Sequence, residues 1–273
     1  MSSTDPERSE EALAAEARGG PGRGAPAVVR AARLLRLLEA APGREIPLAE
    51  LAADLGAAKS STLSVCAALE ETGLIVRGGG GYRLGRAVLE LAGSYLSGFD
   101  QLRAFYDLCR DSEALEREVV QIALLEGSDV IYLARHEGRV PYRFSAGIGS
   151  RFPASSTAVG HALLAGLGDE EVERRFASAA AFPRLTPHSV TDLPTLLAAL
   201  HRTRARGYAL DQEGVHPGIV GVAVRLPPWN PADAPLSVGA SIMATEATPD
   251  RVEEVGEALR VLVEALSNPL VSR

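Results

Sequence analysis

The chain has 273 residues, 46% of them hydrophobic and 23% charged, with a formal net charge of −7. These values describe a globular protein of about two domains. No apolar run approaches the ~20 residues a membrane-spanning helix needs, and the opening MSSTDPERSEEALAAEARGGPGRG has no apolar signal region. With only Cys66 and Cys109, a disulfide framework is not expected, and a reducing cytoplasm suits both thiols. Charge is unevenly spread. Residues 27–98 carry 8 basic and 7 acidic side chains (net +1), against a net −2 for residues 1–26 and −6 for residues 99–273.

In chain order, residues 1–26 read as a disordered tail, polar and then rich in Gly and Pro. Val28, Ala31, Leu34, Leu35 and Leu38 have helical spacing, with Arg30, Arg33 and Arg36 on another face, and Pro42-Gly43 stops the helix. Pro47 opens a second helix whose buried stripe is Leu48, Leu51, Ala52 and Leu55. A small-residue turn, Gly56-Ala57-Ala58, leads to a third helix that begins on Ser60, Ser61 and Thr62 and ends at Gly73. Strands at 74–76 and 82–84 flank four glycines at 78–81. The order is helix, turn, helix, wing, which presents a helix to the major groove of double-stranded DNA.

Residues 86–98 predict an amphipathic linker helix and a dimer contact. Beyond them the pattern becomes mixed. It predicts a helix at 101–116, strands at 118–127, 129–138 and 140–147, and helices in TAVGHALLAGL and DEEVERRFASA. A further helix is capped by Thr191 or Asp192 and stopped by Gly207. Three more strands follow, in GYALDQEG, GIVGVAVRL and PLSVGASIMAT, and a last helix spans 249–267. Six strands in a mixed, mostly antiparallel sheet flanked by helices make an α+β domain. The expected organisation is a tail to 26, a winged helix-turn-helix DNA-binding domain at 27–85, a linker at 86–98, and an effector-binding and oligomerisation domain at 99–273.

For DNA contact the candidates are Lys59, Ser60, Ser61, Thr62 and Ser64 at the start of the third helix, and Arg77, Tyr82 and Arg83 on the wing. Lysine and hydroxyls suit phosphates, which position without specifying sequence. That helix has no Arg, so it offers no bidentate fork for guanine. The hydroxyl cluster also reads simply as a helix N-cap. Catalysis has little support. There is no GxSxG elbow, GxGxxG fingerprint or Walker A loop, and the five histidines lack zinc spacing, so no cofactor or metal is expected. An acid/base pair of Asp211 and Glu213, two apart on one strand face, is the single catalytic alternative. A ligand-binding or scaffold module with weakened DNA affinity is another.

Three blocks together resemble the IclR family of bacterial transcriptional regulators: the winged helix-turn-helix closed by YRLG, the segment GIGSRFPASSTAVGHALLAGL, and the segment RARGYALDQEGVHPGIVGVAV. Their order and spacing match over roughly residues 27–267. The resemblance implies a C-terminal effector domain of GAF-like fold, a homodimer or dimer of dimers, and control of a metabolic operon by a small organic acid or an aromatic metabolite. It also implies an effector site at the backbone of Ala158 and Val159 and at Asp211, Ile219, Gly221 and Ser241. Departures from the family pattern are Ser64 for an Arg, His161 for a Lys, Gly214 for a Glu, Gly221 for a Cys, Arg225 for a Pro and Met243 for a Ser. Gly221 and Met243 suggest a roomier, more apolar pocket, and so an effector larger or more apolar than glyoxylate or pyruvate. On the residues alone, Asp211 and Glu213 also read as a strand turn and Gly221 as a bulge.

Overall fold

The computed structural model describes residues 25–99, 101–138, 146–229 and 233–267. The chain divides into two compact units, Met1–Gly98 and Phe99–Arg273. Most of the expected tail, and most of the strand expected at 140–147, lie outside the described residues.

The first unit contains α1 (Pro26–Glu39), α2 (Leu48–Asp54), α3 (Lys59–Glu71), β1 (Ile75–Arg77), β2 (Tyr82–Leu84) and α4 (Ala87–Leu96). Pro26, expected in the tail, already begins α1, where its missing N–H is one that no helix would pair. Gly56 reverses the chain between α2 and α3 in the left-handed region, at φ 59°. Leu34, Leu38, Leu51, Val65, Cys66, Leu69 and Ile75 close into one core, where the stripes read on the first two helices meet α3, although Val28 stays exposed. Truncating one such fully buried leucine costs ~2–5 kcal/mol. The antiparallel hairpin of β1 and β2 gains a third rung, because Ile46 exchanges two backbone hydrogen bonds with Tyr82 (2.8 and 2.9 Å). No residue of α4 is buried, and Leu89 is 76% exposed.

The second unit contains α5 (Gln101–Asp111), β3 (Val119–Glu126), β4 (Asp129–His136), β5 (Arg151–Pro153), α6 (Ala158–Leu164), α7 (Asp169–Arg175), α8 (Leu193–Arg206), β6 (Ala209–Gln212), β7 (Ile219–Leu226), β8 (Leu236–Met243) and α9 (Pro249–Ser267). The six strands form one sheet in the order β5-β4-β3-β8-β7-β6, and every neighbouring pair is antiparallel. Among the described residues the expected, mostly antiparallel sheet is antiparallel throughout. The unexpected strand is β5, three residues on the edge, where Pro153 removes no interior ladder bond. As expected, Asp192 caps α8 by accepting from Thr195 N (2.8 Å), and Gly207 ends it at φ 85°.

Residues alternate across the strands, so α6 lies on one face of β7 and β8 and α9 on the other. On the α6 face the sheet presents small residues. A Cβ on Gly221 would stand 3.0 Å from the Ala158 Cβ, and one on Gly239 would stand 2.6 Å from Val159 Cγ1. These glycines let the start of α6 sit low on the sheet, directly over the middle of β7 and β8.

Candidate DNA interface and effector cavity

On α3, Lys59, Ser60 and Ser64 are exposed, and Ser61 is half-buried. Arg30 reaches across from α1, and its Nη1 donates to Ser61 Oγ at 2.6 Å. The hydroxyls do not cap the helix. The N-cap is Ala58, with no side-chain hydrogen bond, while Thr62 Oγ1 and Ser64 Oγ donate backwards to the carbonyls of Ala58 and Ser60. Thr62 is 1% exposed, so it belongs to the core and not to the groove-facing surface. Tyr82 is corrected in the same way. At 3% exposure its ring fills the core beneath the wing, burial pushes its phenol above the usual range, and Arg77 stacks over it at 5.8 Å. Arg77 and Arg83 remain exposed on the wing. Spacing separated Arg30 from the apolar stripe of α1 but gave no sign of its reach to α3.

All six residues expected at the effector site line one cavity in the second unit: Ala158, Val159, Asp211, Ile219, Gly221 and Ser241. Strand register brings three of them together, with Asp211 opposite Gly221 and Gly221 opposite Ser241. Thr157 caps α6 by accepting from Gly160 N at 3.1 Å. The N–H groups of Ala158 and Val159 belong to the first turn, where a helix offers no partner. The same cavity is also lined by Gln121, Tyr132, Phe152 and His216, which motif reading missed. Its rings meet edge to face, Tyr132 on Phe152 and Phe152 on His216. Alternation along β3 and β4 could have marked Gln121 and Tyr132 as inward-facing, but nothing local signalled Phe152.

Asp211 dominates the electrostatics. Its Oδ1 accepts from Gly214 N at 2.7 Å, and what remains accessible lines the cavity. Burial lifts its carboxyl to about 7; the Gly214 hydrogen bond opposes that rise, and the charge of Glu213 adds to it. Glu213 does not share the strand face. It lies beyond β6 at φ 62°, and its Oε2 accepts from Gly218 N at 2.7 Å. The acid/base pair weighed as an alternative on their spacing is therefore not formed. His161 is buried within α6, its Nε2 sits 2.7 Å from the Ser155 carbonyl, and burial holds its pKa low. The cavity measures about 60 Å³, room for a few water molecules or a small organic molecule. Met243 is not among its lining, and the space at Gly221 is taken by Ala158, so neither departure enlarges it.

Family models decide what these two units are. The model described as "Bacterial transcriptional regulator IclR C-terminal" matches residues 102–268, and "IclR helix-turn-helix domain" matches residues 27–79. The chain belongs to the IclR family. Among its relatives, the HTH-type transcriptional repressor AllR of Salmonella typhi is 27% identical over 263 residues, 93% of this chain and 95% of that one. The Agobacterium tumefaciens repressor BlcR is 32% identical with a TM-score of 0.56, covering 90% of this chain and 97% of that one. An IclR homologue from Microbacterium hydrocarbonoxydans, solved in complex with 4-hydroxybenzoate, is 23% identical with a TM-score of 0.73, covering 88% and 98%. This IclR-family chain is thus a DNA-binding transcriptional regulator. No helix among the described residues is long and apolar enough to cross a membrane.

Proposed function

We propose that this IclR-family protein is a cytoplasmic repressor of a metabolic operon, released from its operator when a small effector enters the cavity. In this reading residues 27–85 bind DNA. Lys59, Ser60 and Ser64 approach the major groove, Arg30 acts through Ser61, and Arg77 and Arg83 meet flanking phosphates. Residues 86–98 join the halves, and residues 99–273 bind effector and oligomerise. Ala158, Val159, Asp211, Ile219, Gly221 and Ser241 form the effector site. The single observation that carries this is their convergence on one cavity.

The effector is a small organic acid or aromatic metabolite. The aromatic wall of Tyr132 and Phe152 suits a flat apolar body, and Asp211 and Ser241 suit its polar end. The relative solved with 4-hydroxybenzoate supports this class. A homodimer, or a dimer of dimers, brings two α3 helices to paired half-sites. Leu89 and Leu91, exposed on α4, supply apolar surface for that contact. Effector binding favours one conformer of the C-terminal domain and so biases how the paired DNA modules are spaced. A gel shift on the gene's own upstream DNA, repeated with a panel of aromatic and small-acid metabolites, tests the whole reading. The expected result is selective binding released by one of them. Equal affinity for upstream and random duplex under every condition would refute it.

A further inference from the structure

The wing poses a physical problem of its own. Its strands are joined by four consecutive glycines at 78–81, the residue type with the most backbone freedom to lose on ordering. Such a tip needs an outside constraint to hold one shape. The Gly80 N–H donates to Glu45 Oε2 at 2.7 Å, and Glu45 Oε1 lies 3.9 Å from Nε of Arg83. The same carboxylate fills the volume where tip side chains would go: a Cβ on Gly78 would overlap it, and one on Gly80 would stand 3.0 Å from Oε2. Glu45 is itself anchored, because the next residue, Ile46, is 3% exposed and hydrogen-bonded to Tyr82 through both backbone groups. One side chain from the α1–α2 connection therefore ties the wing tip and a wing arginine to the body of the domain.

We propose that Glu45 is a positioning residue of the DNA interface. It pre-orders the glycine tip and the Arg83 guanidinium, so that the wing and its cation meet DNA phosphates without a further ordering cost. Glu45 acts through these groups and does not touch DNA. Its charge repels phosphate, while its geometry favours binding, so the two contributions have opposite signs and can be separated. The inference rests on the DNA-binding reading above.

The test compares Glu45→Gln with Glu45→Ala in the full chain. Both remove the same charge, but only Gln keeps an acceptor for Gly80 N–H. Fluorescence anisotropy on upstream and random duplex, over a salt series, should show Glu45→Gln binding as tightly as wild type or tighter. Glu45→Ala should bind about fivefold more weakly than Glu45→Gln. In free protein, Gly80 amide exchange should be slow in wild type and Glu45→Gln and fast in Glu45→Ala. Equal DNA affinity of the two variants, or tighter binding by Glu45→Ala, overturns the inference alone. Absence of any DNA binding by wild type overturns the parent reading and this one with it.

Discussion

Asp211 and Ser241 stand on one row of the sheet, each directly opposite Gly221. They come from β6 and β8, the two neighbours of β7, and the residue between them has no side chain to fill the row. The polar wall of the cavity is therefore a product of register. A one-residue slip of β6 or β8 would turn Asp211 or Ser241 to the opposite face.

Replacing Asp211 should separate sensing from DNA binding. Asp211→Asn preserves the size of the side chain and its acceptor for Gly214 N–H, but puts an amide N–H donor in place of the second oxygen, which could accept from a ligand hydroxyl. Upstream duplex should be bound as before, while the effector concentration needed for release rises tenfold or more, about 1.4 kcal/mol. Gel shifts with titrated effector measure this. Unchanged release would remove Asp211 from the site.

Asp211 should also make the second unit less stable as pH rises. Its folded pKa is lifted to about 7, above the ordinary carboxylate value of 3.8. The folded state therefore holds the proton more tightly than the unfolded state. Stability from this group is complete below the unfolded value and is lost as pH climbs towards about 7. At ~1.36 kcal/mol per pKa unit, the ceiling is ~4 kcal/mol. Urea midpoints at pH 5 and pH 8 should differ less in Asp211→Asn than in wild type.

Lys59→Ala should weaken binding to every duplex alike. Lys59 is exposed at the first position of α3, where an ammonium suits a phosphate and specifies no base. Losing one phosphate contact should lower the slope of log affinity against log salt by about 0.9. A salt titration that superimposes on wild type would exclude the contact.

Tyr82 gives a contrast between packing and contact. Tyr82→Phe should bind DNA like wild type, since the ring is core and not interface. Tyr82→Ala should destabilise the first unit by ~3–5 kcal/mol, as large aromatic truncations do. Thermal unfolding alongside anisotropy separates these outcomes. A folded Tyr82→Phe that no longer binds DNA would return its hydroxyl to the interface.

Elements were more legible than surfaces. Apolar spacing located α1 and α2, Pro47 and Gly73 bounded the helix-turn-helix, and Asp192 and Gly207 marked both ends of α8. β5 escaped because three residues ending in proline carry too short an alternation to register as a strand. Thr62 and Tyr82 were misplaced for one shared reason. A polar atom suggests solvent, yet Thr62 satisfies its hydroxyl on the Ala58 carbonyl, and the bulk of Tyr82 is apolar.

By itself, the sequence determined most of the helices and strands and several of their ends, because periodicity and capping act over a few residues. Its three motif blocks also determined the family and six positions facing the cavity. Only the tertiary structure decided which residues converge. Antiparallel register aligned Asp211, Gly221 and Ser241, and the folded sheet brought the Tyr132 and Phe152 rings to the same cavity. Packing sent Arg30 to Ser61 and Glu45 to the wing tip. Such contacts join residues far apart in the chain, and no local pattern records them, because they arise when separate elements bury their apolar faces together.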